Sequence, residues 1–104
     1  MEEKVYIYIS GKVTGLPLQE VEDKFREAAG IVRHHGAEPV VPIYYCCAGW
    51  SWHECMKTCL ALLLSCDKIM LLPDWKKSRG AKIEFLVALA AGIPILKYKP
   101  HAAD

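Results

Sequence analysis

Strong charge of either sign, a long apolar run and a paired-cysteine framework are all missing from these 104 residues. Thirteen Lys and Arg nearly cancel twelve Asp and Glu, leaving a formal charge of +1. That balance provides no electrostatic footprint for DNA, RNA or an anionic membrane, although a phosphate-sized anion can still be held locally. No apolar run approaches the ~20 residues a bilayer span needs, and the start MEEKVYIYIS lacks the shape of a signal peptide. Five cysteines, an odd number, sit at 46, 47, 55, 59 and 66. They make a poor disulfide framework, and no C-x-x-C pair of the usual zinc signature occurs among them. Cys55, Cys59 and Cys66 fall in a helical pattern where a thiol packs as a small hydrophobe. The expectation is a soluble protein of a reducing cytoplasm, with no metal and no cofactor. Repeats, low-complexity segments and linkers are absent too, so residues 1–104 are expected to form one domain.

What is present is enough apolar material for a core, 53% of the residues, arranged in alternating strand and helix patterns. Lys4 to Ser10, KVYIYIS, is rich in β-branched and aromatic residues and stops at Gly11, as a strand does. The loop GKVTGLPL leads to a helix from about Gln19 to His35, where Val21, Phe25, Ala28, Ala29 and Val32 recur at helical spacing. His34 and His35 close that helix as a solvated cap, and Gly36 ends it. AEPVVPI is a short proline-flanked strand. Ser51 then caps a helix from Trp52 to about Cys66, with Glu54 at the capping-box position. IMLLP is a buried strand of the kind parallel sheets use, DWKKSRG a loop with wet lysines at 76 and 77, and IPILKY the last strand.

This β-α-β-α-β-α-β order predicts an α/β fold: three layers, an open, mostly parallel sheet of four or five strands, and helices on both faces, in the Rossmann/flavodoxin-like manner. Ligands of such sheets bind beyond the carboxyl ends of the strands, where strand order reverses. The loops SGKVTG and PDWKKSRG lie at that edge, and both lead toward helix starts whose backbone N–H groups favour anions.

The segment SRGAKIEFLVALAAG, residues 78–92, carries one anomaly. Glu84 is a lone carboxylate whose own helical sector holds only Gly80, Ala81, Val87, Ala88 and Ala91. A helix apolar nearly all round is a buried one, and a buried carboxylate needs a partner or a purpose. Two readings are open. Beside a bound sugar an ionised Glu84 is a nucleophile for an anomeric carbon; otherwise it pairs with Lys12, Lys76, Lys77 or Arg79 across the loops. Ser78, Arg79 and Gly80 offer the hydroxyl, cation and bare backbone of a phosphate cradle, and equally of a capped turn. Ser10 and Thr14 add hydroxyls from the first loop. Trp52 and Trp75 are flat surfaces for a base, or core and contact residues.

Together, YIYISGKVTG, CDKIMLLPDWKKSRGAKIEF and AAGIPIL resemble a family of small phage and bacterial domains. That family carries a domain-of-unknown-function label within the nucleoside 2-deoxyribosyltransferase-like superfamily. The likeness runs from about Val5 to Leu96. It implies a nucleoside deoxyribosyltransferase-like domain that cleaves or transfers the N-glycosidic bond of a 2'-deoxynucleoside or its 5'-monophosphate. By the same resemblance Glu84 is the nucleophile that forms a glycosyl-enzyme intermediate. Ser78 and Gly80 hold a 5'-phosphate; Arg79 and Trp75 are expected beside them from the reading of the residues above, not from the resemblance. Tyr8, Gly11 and Gly15, with Ser10 and Thr14, belong to the substrate-binding first strand and its loop.

One position departs from the pattern. Active relatives carry an aspartate in the helix before the third strand, where this chain has Cys59. General acid–base help is worth ~10²–10⁴ in rate, so Asp74, just after the third strand, is the expected substitute. Asp67 lies at the helix-to-strand corner, the wrong end of the sheet. The alternative is a catalytically inactive module of the same fold that binds or sequesters a nucleotide. The implied partners are a small-molecule nucleotide or nucleoside and further copies of the chain, as a homodimer or larger assembly contacting through Tyr44, Tyr45 and Trp50. Nucleic acid and membrane are not expected partners.

Overall fold

The computed structural model describes residues 3–99. Its elements run β1 (Tyr6–Ser10), α1 (Leu18–His34), β2 (Glu38–Val40), α2 (Trp52–Leu64), β3 (Lys68–Leu71), α3 (Arg79–Ala91) and β4 (Ile95–Lys97). Short 3-10 turns at Pro42–Tyr44 and Trp75–Lys77 precede α2 and α3. The four strands form one sheet in the order β2-β1-β3-β4, and every pairing is parallel.

Alternation along β1 divides the core in two, because successive side chains of a strand point to opposite faces. Ile7 and Ile9 pack with Val21, Phe25, Ala28, Ala29 and Val32 of α1. Tyr8, with Ile69 and Leu71 of β3, faces Cys59 and Leu63 of α2 and Ala88 of α3. One helix therefore covers one face and two cover the other, the expected three-layer arrangement. The chain leaves β1 toward β2 on one side and returns to β3 on the other. Strand order reverses between β1 and β3, and their carboxyl ends part there.

The element boundaries differ from expectation where prolines and caps intervene. β2 stops at Val40 because Pro42, which has no N–H for a ladder, opens a 3-10 turn. Helix α2 begins at the expected Ser51 capping box, with Ser51 and Glu54 bonding reciprocally, and ends at Leu64, where the Ser65 hydroxyl donates to the Leu62 carbonyl at 2.7 Å. Asp67 is exposed and accepts the Tyr6 N–H at 2.8 Å, at the amino edge of the sheet as foreseen. Just past β1, Gly11 is forced by proximity: a Cβ there would stand 2.6 Å from Leu72 Cδ1 and 2.9 Å from Leu72 Cβ. Among the described residues no helix is long and apolar enough to cross a membrane.

Candidate active site

A hollow of about 820 Å³ opens at the carboxyl edge of the sheet, between the loop after β1, the start of α2 and the start of α3. This volume lies within the range that small-molecule sites use. Its wall includes Gly11, Lys12 and Thr14 from the first loop, Trp50, Trp52 and Met56 at the entry to α2, and Ser78, Arg79, Gly80 and Glu84 from α3. A smaller depression on the outer side of α2, lined by Lys57, Thr58, Ala61, Leu62 and Ser65, lies away from these groups.

Among the described residues Glu84 is the one acidic residue of that wall, and it is only 5% exposed. The loop lysines and Arg79 do not partner it; its partners come from β1. The Tyr8 hydroxyl donates to Oε2 at 2.5 Å, and the Ser10 hydroxyl donates to Oε1 at 2.7 Å. Tyr8 and Ser10 stand two positions apart and so share the face turned to α3, at a Cα separation of ~6.6 Å. A single carboxylate lying across the strand end reaches both. Each oxygen thus has its own donor, and among the described residues no buried side-chain N or O lacks a partner.

Of the two readings of Glu84, pairing with a loop cation is not the one this geometry shows. A period-2 strand supplies two neutral hydroxyls in place of a charge from the loops. Burial pushes the Glu84 carboxyl above its ordinary range, while the Tyr8 and Ser10 hydrogen bonds pull it back down. Burial, with the Glu84 charge beside it, raises the Tyr8 phenol far above the usual range. Tyr8 therefore remains a donor at any ordinary pH.

The remaining expected site residues divide into two groups. Gly11, Thr14, Ser78, Arg79 and Gly80 line the hollow with Glu84. Ser78 also caps α3, its hydroxyl accepting the Ala81 N–H at 3.1 Å, and the Arg79 guanidinium lies 4.1 Å from the centre of the Trp52 ring. Tyr8 and Ser10, both fully buried, stand behind the carboxylate and not in the wall. Gly15, at φ +85°, occupies the turn between the Val13 carbonyl and the Leu16 N–H, away from the hollow. Trp75 packs on Phe85, ring centres 4.7 Å apart. Asp74 accepts the Lys12 N–H at 3.0 Å and pairs with the ammonium of Lys24, which also donates to the Lys12 carbonyl. These contacts make Asp74 a brace for the first loop.

Cys59 is buried, yet its side chain contributes to the wall together with Cys46 and Cys55. Its thiol lies close enough to Tyr8 and Glu84 for both to act on it, and burial raises its pKa. Sequence periodicity assigned Cys55 and Cys59 to packing alone. The helix face was right, but nothing in the pattern reveals that the space opposite is unfilled. Lys24 was missed for a similar reason: it reads as one more exposed cation of α1, and only the fold brings it to Asp74. Among the described residues no group of three or more His, Cys, Asp or Glu could hold a metal ion.

Comparison with known proteins agrees with this geometry at the level of fold. Residues 5–97 match the family described as Domain of unknown function (DUF4406). Among solved structures, a 2-desoxiribosyltransferase from Leishmania mexicana superposes with a TM-score of 0.71 at 17% identity, covering 90% of this chain and 63% of that one. A 2-deoxyribosyltransferase from Bacillus psychrosaccharolyticus superposes with a TM-score of 0.72 at 14% identity, covering 94% of this chain and 74% of that one. The chain therefore spans less than two thirds of the Leishmania protein. No curated protein matches it.

Proposed function

The chain belongs to the DUF4406 family and has the fold of 2-deoxyribosyltransferases; from that premise we propose that it cleaves or transfers the N-glycosidic bond of a 2'-deoxynucleoside or its 5'-monophosphate. The observation that carries this reading is Glu84: a buried carboxylate on the wall of a ligand-sized hollow, gripped by two neutral hydroxyls and tied to no cation. A carboxylate oxygen attacks C1' of the sugar on the face opposite the base. The C1'–N bond breaks with its electron pair leaving on the base nitrogen, and a glycosyl ester of Glu84 forms. Water, or a second base, then displaces the ester and restores the carboxylate.

Lys12, Lys77 and Arg79 supply the cations of the wall, against Glu84 as its acid. With the Ser78 hydroxyl and the α3 amino terminus beside them, this rim favours a ligand bearing phosphate. Hydrolysis of a 5'-monophosphate is thus the preferred form of the reaction. The residues proposed to touch substrate are Glu84, Thr14, Ser78, Arg79 and Gly80, with Tyr8 and Ser10 positioning the nucleophile. Exposed Tyr44, Tyr45 and Trp50 are the proposed contact with a second copy of the chain, which light scattering tests directly.

One observation favours a second reading. Among the described residues the wall holds no second carboxylate, and Asp74 is already engaged by Lys24 and the Lys12 N–H. A module that binds a nucleotide without turning it over fits that deficit. A chromatographic screen for free base, run on all deoxynucleosides and their 5'-monophosphates beside Glu84→Gln, separates the two. Base release that disappears in Glu84→Gln supports the enzyme. Calorimetric binding without base release selects the module.

A further inference from the structure

Cys46 and Cys59 are thirteen positions apart in the chain, yet their sulfurs lie 4.0 Å from each other in the wall of the hollow. Cys59 is fixed on α2, whereas Cys46 belongs to the segment between the Pro42–Tyr44 turn and the Ser51 cap, outside any helix or strand. A disulfide requires an S–S separation of ~2.05 Å. The missing distance is small, and one partner, Cys46, lies outside any helix or strand. From this geometry we infer that Cys46 and Cys59 are a reversible modification site, converted to an intramolecular disulfide by low-molecular-weight disulfides of the glutathione type, and that the link draws the 45–51 segment onto α2 and narrows the hollow beside Glu84.

The exchange balances in two steps. The Cys46 sulfur, as thiolate, attacks the small disulfide; a mixed disulfide forms and one small thiol leaves with the Cys46 proton. The Cys59 sulfur then attacks Cys46, the mixed bond breaks, and a second small thiol leaves with the Cys59 proton. Two protein thiols are oxidised and one small disulfide is reduced to two thiols. Burial raises both cysteines. This slows the attack but also makes each a poor leaving group, so the link, once formed, resists the reverse exchange. The site follows a sustained change in thiol–disulfide balance, not a brief oxidant pulse.

Two features give the link consequences. The Cys59 thiol neighbours the Tyr8 phenol, which donates to Glu84, so the modification falls next to the carboxylate. The 45–51 segment also carries Trp50, another wall residue. Cys55 is the competitor, one helical turn before Cys59 and able to interact with Cys46.

The test is a non-reducing peptide map of the full chain after incubation with oxidised glutathione, with hydrogen exchange of the 45–51 segment measured in parallel. Cross-linked peptides joining Cys46 to Cys59, short of two hydrogens, are expected. Exchange across 45–51 should slow several-fold and recover with dithiothreitol. Cys46→Ser should abolish both effects, and Cys47→Ser should leave both intact. Because Cys59 is buried, Cys59→Ser also disturbs packing; Cys46→Ser, outside any helix or strand, keeps the outcome readable. A Cys46–Cys55 link, glutathione adducts alone, or a Cys46–Cys59 link without slowed exchange overturns the inference. None of these readouts depends on nucleotide turnover.

Discussion

Replacing Tyr8 by Phe removes one oxygen from the interior and leaves the ring, which is fully buried, in place. The oxygen lost is the one donor to Glu84 Oε2, at 2.5 Å; Ser10 serves Oε1. A carboxylate oxygen that is buried and loses its donor costs more than the net worth of an ordinary hydrogen bond. Hydrogen bonds to charged groups are worth ~1.5–3 kcal/mol, and about 2 kcal/mol is expected here near neutral pH. In a domain of this size that is roughly 8 °C or more in Tm. Urea unfolding of wild type, Tyr8→Phe, Glu84→Gln and the double variant supplies the measurement. With Gln at 84 the partner is neutral, and Tyr8→Phe should then cost no more than the ~1 kcal/mol of a neutral pair, a coupling of about 1 kcal/mol or more. Burial raises the Glu84 pKa in the fold, so below that pKa the carboxyl is neutral and the cost of Tyr8→Phe should shrink. Equal costs in both backgrounds and at both pH values would refute the claim that Tyr8 stabilises a buried charge.

Four further outcomes follow from the structure. Base release should fall as pH drops through the raised Glu84 pKa, because only the ionised carboxylate attacks; the acid limb should therefore lie above the ~4.3 of an unperturbed glutamate, and a flat profile through that region would contradict the assignment. Since that raised pKa also means the folded state holds its proton more tightly than the unfolded chain, the contribution of Glu84 to stability is full at low pH and lost as pH rises, so Glu84→Gln should be at least as stable as wild type near neutrality in urea. Gly11→Ala places a methyl against Leu72 and should cost ~1–3 kcal/mol by overpacking, with Leu72→Ala in the same chain recovering part of it. Lys24→Met strips Asp74 of its ion pair and the Lys12 carbonyl of its donor, which should speed hydrogen exchange across residues 11–16 while leaving the sheet unchanged.

Much of the fold was readable because each element carries its own local signal. Strand β1 shows β-branched and aromatic residues ending at glycine, α1 shows its five core positions at helical spacing, and Ser51 with Glu54 announces α2 three residues apart. The anomaly at Glu84 was readable too, since a carboxylate surrounded by alanine and valine contradicts its own helix. Its partners were not. Tyr8 and Ser10 lie 76 and 74 positions away and meet Glu84 only because β1 is central and α3 crosses the face that Tyr8 and Ser10 share. Nothing local says which strand ends beneath which helix. Asp74 shows the same limit from the other side: sequence placed it correctly at the ligand edge, but its charge was free to act only if Lys24, fifty positions earlier, went elsewhere. Cys55 and Cys59 were legible as apolar positions; the hollow they border with Cys46 is enclosed by the loop after β1, the start of α2 and the start of α3 together, a property of three segments and of none alone.

The choice of partners at Glu84 bears on what the site can do. A lysine against this carboxylate would stabilise its charge more in the resting state than in the transition state, where that charge is passing to the bond with C1', and stabilisation of that kind opposes the chemical step. Two hydroxyls hold the carboxylate in place, and each donates a hydrogen bond without neutralising it. On the glycosidase reading, the positive charge that Glu84 lacks in the resting protein develops on the sugar, where C1' gains oxocarbenium character as the base departs. Burial strengthens that attraction by excluding the water that would screen it. Burial also raises the carboxyl pKa and so limits the ionised fraction, and the Tyr8 and Ser10 hydrogen bonds oppose that penalty. The two hydroxyls thus serve the same end twice, keeping the carboxylate charged and leaving its charge for the ligand. A cation from the loops could do only the first.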